Sequence, residues 1–135
     1  MTTGDEFLFV CGTLRSGSGT EWSRRLQNMA SLVGAGRTRG VLYQLDGYPG
    51  MLGSPAESSF VVGEVYRLNE PAAAWPMLDE YEGCGPANPP PHEFQRQMAT
   101  VEMDDGATLQ AWAYFYRGDI TGRKRIVSGD YLRPR

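Results

Sequence analysis

The stretch EFLFVCGTLRSGSG, Glu6 to Gly19, decides the fold. Four apolar residues in a row, Phe7 to Val10, run into Cys11-Gly12-Thr13-Leu14-Arg15 and then into a turn rich in glycine and hydroxyls. A short continuous apolar run bounded by turn residues is the pattern of a central strand buried on both faces, here Phe7 to Cys11. Thr20 to Ala30 follows with Trp22, Leu26 and Met29 on one stripe and Arg24, Arg25 and Gln27 between them. That spacing predicts an amphipathic helix of about three turns. A strand, a glycine-bearing turn and a helix in this order present backbone N–H groups to whatever lies before the turn, which suits a phosphate, a carboxylate or a developing oxyanion. The spacing of Gly12, Gly17 and Gly19 fits neither a Walker loop nor a dinucleotide fingerprint, and a plain strand-to-helix connection remains the simplest reading of the spacing alone.

The segments 36–45 and 60–68 are β-rich. The intervening LDGYPGML, Leu45 to Leu52, reads as turn chemistry. Asn69 is a suitable N-cap, and Pro71 suits a first helical turn. A short helix is predicted from Glu70 to Tyr81, ended by Gly83, with a kink or a restart at Trp75 imposed by Pro76. GCGPANPPPHE, Gly83 to Glu93, is a long loop. Phe94–Met103 and Thr108–Arg117 flank an Asp105-Gly106 pair, a strong hairpin signal. The hairpin places Trp112, Tyr114 and Tyr116 on one face and Ala111, Ala113 and Phe115 on the other. The final segment RKRIVSGDYLRPR has a single short apolar centre. This mix of many strands and two short helices is α+β.

The chain has 135 residues, which fits a single domain spanning 1–135, and its size allows roughly two-thirds of the unfolded surface to be buried. A net charge of −3 gives no field that would draw nucleic acid or an anionic membrane. Six of the 13 basic residues fall between Arg117 and Arg135, but no aromatic interleaving accompanies them, so a solvated surface is the expectation there. No apolar run approaches the ~20 residues of a membrane span, and Met1 to Asp5 is polar. Two distant cysteines, Cys11 and Cys84, make neither a zinc set nor an evident disulfide frame. The expectation is a cytoplasmic protein with both thiols reduced and with no nucleic-acid or membrane partner. Cys11 has no histidine near it in sequence, so it reads as a small buried residue. The lone His92 reads as a loop residue.

Leu78-Asp79-Glu80-Tyr81-Glu82-Gly83 places three carboxylates in four residues. On a helix, Leu78 and Tyr81 face the core and Glu82, four residues after Leu78, leans inward, while Asp79 and Glu80 point toward water. A carboxylate leaning inward at a helix C-terminus is opposed by the macrodipole and by desolvation. Both raise its pKa and make it a better base near neutrality. A fully solvated acidic face is the competing reading of this stretch.

Five motifs now stand in order: Cys11-Gly12-Thr13-Leu14-Arg15, Tyr48-Pro49-Gly50, Leu78 to Gly83, Phe94-Gln95-Arg96, and Ile126-Val127-Ser128-Gly129-Asp130-Tyr131. Together they resemble the gamma-glutamylcyclotransferase-like superfamily, and more narrowly the branch containing gamma-glutamylamine cyclotransferase and its small bacterial relatives. The resemblance spans Phe7 to Tyr131. It implies a small mixed β-barrel-like sheet with flanking short helices. It also implies a substrate loop at Cys11, Gly12, Thr13 and Leu14 that works through backbone amides, and Glu82 as the catalytic acid/base. The implied reaction closes a γ-glutamyl amine or amide on itself, giving 5-oxoproline and a free amine. The substrate supplies its own nucleophile, so no metal or organic cofactor is required, and the implied partner is a small-molecule γ-glutamyl substrate. A binding module on the same fold and removal of a γ-glutamyl protecting group are the alternatives. The chain departs from the family pattern at Cys11, which stands where a tyrosine is usual, and in a longer loop from Cys84 to Phe94.

Overall fold

A computed structural model describes residues 5–12, 14–53 and 59–133. Strand β1 (Phe7–Val10) lies in the middle of a mixed sheet, pairing parallel to β6 (Thr108–Tyr116) and antiparallel to β4 (Phe60–Leu68). β4 pairs with β2 (Ala30–Gln44), and β6 with β5 (Phe94–Met103). The ring closes where Gly36 and Arg37 of β2 pair with Met103 and Glu102 of β5. Five strands thus form a closed barrel in the order β2-β4-β1-β6-β5. The short β3 (Pro49–Gly53) and β7 (Lys124–Arg125) are added to the far half of β2. Closure leaves few open strand edges, which a small sheet otherwise has to protect.

Alternation along the strands divides the apolar residues into two bodies. Phe9, Val61, Val65, Val101, Ala111 and Ala113 fill one cluster, the barrel interior. Leu8, Val10, Tyr66, Leu68 and Tyr114 point the other way, beneath the two helices. Helix α1 (Glu21–Met29) supplies Leu26 to that second cluster with Trp22 and Met29 beside it, as the stripe predicts. Its N-cap is Thr20, whose hydroxyl accepts from the Ser23 N–H at 3.1 Å. Ala30, expected in the helix, is instead the first residue of β2, because its backbone pairs with Leu68 of β4.

Helix α2 (Pro71–Tyr81) differs from expectation in two ways. Its N-cap is Glu70, not Asn69. The Glu70 carbonyl accepts from Ala73 and Ala74, while the Asn69 N–H donates to the Met29 carbonyl at 3.1 Å and so ties the helix to the end of α1. It also runs unbroken through Pro76. The carbonyl that Pro76 leaves without a donor is that of Ala72, and both residues lie on the exposed face, open to solvent. Ala74, Trp75 and Leu78 bury on the other side. The LDGYPGML stretch is only half turn: the reversal is confined to Leu45–Tyr48, and Pro49 onward is strand β3 against β2. Among the described residues no helix is long and apolar enough to cross a membrane.

Candidate active site

The end of α2 determines what Glu82 can do. Glu82 is the C-cap, still in the right-handed helical region, and Gly83 follows at φ +75°, a left-handed conformation that disfavours any side chain. The Gly83 N–H donates to the Glu80 carbonyl at 3.1 Å and the Cys84 N–H to the Asp79 carbonyl at 2.9 Å. This is a Schellman termination, which reverses the chain abruptly and leaves the last helical side chain facing inward.

Glu82 faces a cavity of about 460 Å³ at one end of the barrel. Val10 at the end of β1 with Cys11, Gly12 and Leu14 of the first loop line one side, Tyr81 to Gly83 another, and Tyr48, Pro49 and Met51 a third. Tyr114 reaches it from β6, Phe94 from the start of β5 and Glu93 from the end of the long loop. Burial pushes the Glu82 carboxyl up from its ordinary 4.5 to about 7, with the neighbouring charge of Asp79 adding to it. Among the described residues no side chain hydrogen-bonds to the Glu82 carboxylate. It is a desolvated carboxyl of near-neutral pKa at the edge of a chamber sized for a small metabolite.

Asp79, expected to point toward water, does not. Arg96 grips it with two bonds, Nε to Oδ1 at 3.0 Å and an Nη to Oδ2 at 3.1 Å, and the Tyr114 hydroxyl donates to Oδ1 at 2.6 Å. The Arg96 guanidinium in turn lies over the rings of Trp75 and Trp112, at 4.2 and 5.3 Å. Three donors converge on this carboxylate, and its negative charge disfavours ionisation of Glu82 three residues on. Burial, followed by the bond to Asp79, pushes the Tyr114 hydroxyl well above its usual value.

The first loop is fixed from three directions. Gly12 passes so close to the turn after β2 that a Cβ there would sit 2.6 Å from Pro49 Cγ. Arg15 is paired with Asp130 at 2.6 Å. The backbone N–H and hydroxyl of Ser16 both donate to Glu64, at 2.7 and 2.8 Å. Of the residues expected here, Cys11, Gly12 and Leu14 line the cavity, and Thr13 lies outside the described residues. Leu14 does so only in part, since its side chain is buried in the core beneath the helices. The Cys11 thiol is pushed up to about 12, by burial first and the charge of Glu82 second, so it is a neutral wall and not a nucleophile. Cys84 is likewise raised, to about 11, by burial and then Asp79. Both cysteines are free thiols. His92 lines a separate shallow groove with Arg96 and Arg117, its Nε2 2.9 Å from the Asn88 carbonyl oxygen. Among the described residues no group of three His, Cys, Asp or Glu side chains is placed to hold a metal ion.

The motifs, distant in sequence, therefore meet in pairs. The first touches the second through Gly12 and Pro49, the third grips the fourth through Asp79 and Arg96, and the first is tied to the last through Arg15 and Asp130. Sequence reasoning missed the roles of Arg96, Tyr114 and Glu93. Arg96 stood in a quoted motif and Tyr114 on a recognised face, but only the fold shows that both meet Asp79.

Comparison with known proteins places the fold. The gamma-glutamylcyclotransferase family protein YtfP of Escherichia coli is 33% identical over 125 residues, covering 93% of this chain and 95% of that protein. Its structure superposes with a TM-score of 0.61. YkqA from Bacillus subtilis superposes with a TM-score of 0.68 at 26% identity, over 95% of this chain but 40% of that longer one. An AIG2-like protein from Mus musculus shares the fold, with a TM-score of 0.65 at 24% identity over 84% of this chain and 78% of that one. Residues 8–133 match the family described as gamma-glutamyl cyclotransferase, AIG2-like, and with nearly the whole length matched the chain belongs to that family.

Proposed function

We propose that the protein is a γ-glutamyl cyclotransferase that acts on a γ-glutamyl amine or similar small amide, with Glu82 as general acid/base. The observation that carries this reading is a single carboxyl of near-neutral pKa, set at the C-terminus of α2 and lining the same cavity as the first loop.

The substrate's α-ammonium loses a proton to the Glu82 carboxylate. The freed amine attacks the γ-carbonyl carbon, closing a five-membered ring, and the carbonyl oxygen becomes an oxyanion. Backbone amides of the first loop, at Gly12 and Leu14 among the described residues, would hold that oxyanion or the substrate's α-carboxylate. The C–N bond to the amine half then breaks as Glu82 returns its proton to the departing nitrogen. Glu82 next takes the second proton of the ring nitrogen, leaving the lactam N–H, and passes it to the released amine, which departs as an ammonium. The products are 5-oxoproline and a free amine, and the proton count closes without a cofactor. Holding the substrate bent supplies the proximity of an intramolecular attack. A base with a pKa near the working pH is half ready for either transfer.

The test is 5-oxoproline release from a panel of γ-glutamyl amines, amino acids and peptides, comparing wild type with Glu82→Gln. Wild type should release it from at least one class. The variant should lose on the order of 10²–10⁴-fold in kcat/KM. No release by wild type, or full activity in the variant, overturns the proposal.

A further inference from the structure

The charge of the cavity bears on the half of the substrate that the cyclisation leaves undefined. Resting on the reading above, we infer that the leaving amine carries a second, positively charged amino group, and that Glu93 with Tyr48 selects it.

The inner lining of the cavity is apolar and buried, with Phe9, Val10 and Met51 at its floor. Its exposed lining residues are Gly47 and Glu93, with Tyr48 half-buried beside them, so these mark the mouth. The γ-glutamyl group must reach Glu82 to react, which leaves the amine half directed toward that mouth. Two carboxylates, Glu82 and Glu93, line the cavity, and among the described residues no arginine, lysine or histidine does. Of the basic side chains nearby, Arg15 is paired with Asp130, Arg96 with Asp79, and Arg123 with Asp46 at 2.9 Å, while Arg117, whose backbone N–H donates to the Glu93 carbonyl, gives its guanidinium to Gln95 Oε1 at 2.9 Å. Glu93 has no basic partner among the described residues. Its Oε1 accepts from the Tyr48 hydroxyl at 3.3 Å. After burial, the charge of Glu93 and the bond to it push the Tyr48 hydroxyl up, followed by Asp46 and Tyr116.

Aromatic faces complete the arrangement. Tyr48 and Phe94 stand with ring centroids 6.1 Å apart, and Phe94 meets Tyr116 edge-on at 5.5 Å. A carboxylate bordered by tyrosine and phenylalanine rings attracts an ammonium through both charge and ring quadrupole. A carboxylate on the leaving half would meet Glu93 with no lining cation to offset it. Glu93 closes the long loop that follows Gly83, outside both α2, whose C-cap is Glu82, and the first loop.

The test uses three γ-glutamyl amides of matched length, made from 1,4-diaminobutane, butylamine and 4-aminobutanoate, which present a cation, a methyl group and an anion at the mouth. Wild type should release 5-oxoproline in the order cation, neutral, anion, with on the order of tenfold in kcat/KM between the extremes, expressed mainly in KM. Glu93→Gln should compress that ratio and Glu93→Lys should reverse it. Because Glu93 is exposed, added salt should compress it too. A flat or reversed order in wild type, or an order unchanged in Glu93→Gln, overturns the inference while leaving cyclisation intact. Absence of release from all three amides, and from the wider panel, removes the cyclotransferase reading and this inference with it.

Discussion

Replacing Glu82 by glutamine should make the protein more stable, and only at neutral and alkaline pH. The carboxyl titrates at about 7 in the fold against an ordinary 4.5, chiefly because burial strips water from its charged form. Between those values the folded chain holds a proton that the unfolded chain has released. The folded state then binds more protons, so stability falls as pH rises through this window, and the loss is complete above about 7. At ~1.4 kcal/mol per pH unit the difference amounts to ~3 kcal/mol, an upper figure because Glu82 keeps some contact with cavity water. Glutamine has the same shape and no charge, so it escapes the penalty. Urea unfolding of both proteins from pH 5 to pH 8.5 measures it, since other titrating groups cancel in the difference when they are independent of the site. The variant's advantage should be small at pH 5 and grow to ~2–3 kcal/mol by pH 8, roughly 10 °C in Tm for a domain of this size. A difference that does not change with pH, or a variant less stable at pH 8, would show that Glu82 is not desolvated and would remove the physical ground for its role as base.

Two further outcomes follow from the same geometry. If Glu82 must be ionised to take the ammonium proton, kcat/KM should fall below about pH 7. Asp79→Asn removes the like charge that is the second cause of the high pKa, so it should move this acid limb to lower pH; an unmoved or raised midpoint in a pH–rate profile refutes the coupling. Gly12→Ala puts a Cβ 2.6 and 2.8 Å from the ring carbons of Pro49, which cannot rotate away. The first loop should shift, at ~1–3 kcal/mol in stability and with weakened 5-oxoproline binding by calorimetry; an unaffected affinity would separate this loop from the substrate site.

What the sequence made legible was whatever depends on local periodicity. The apolar run of β1, the stripe of α1 and the Asp-Gly hairpin each follow from spacing within about ten residues, and each appears where expected. Glu82 was legible for the same reason, as the residue four after a core leucine and just before a glycine. What failed depended on partners far away. Asn69 looked like a cap until the end of α1 was brought against it. Ala30 followed a helical stripe, but pairing with β4 claimed its backbone. Asp79 lay on the polar side of its helix by periodicity alone, and its true environment is made by Arg96 and Tyr114, 17 and 35 residues on.

Asp79 and Glu82, three residues apart on one helix end, meet opposite surroundings. Asp79 receives two bonds from a guanidinium stacked on tryptophans and one from a tyrosine hydroxyl, so its charge is fully matched. Glu82 sits at the negative end of the helix dipole, receives no hydrogen bond among the described residues, and feels the charge of Asp79. The arrangement is unfavourable for folding at Glu82 and favourable at Asp79. The ion pair that binds α2 to β5 thus holds in place a helix end which the buried carboxylate would otherwise tend to loosen. A base poised near neutrality needs both: desolvation to raise its pKa, and an anchored helix end so that the carboxyl cannot relieve its cost by swinging into water.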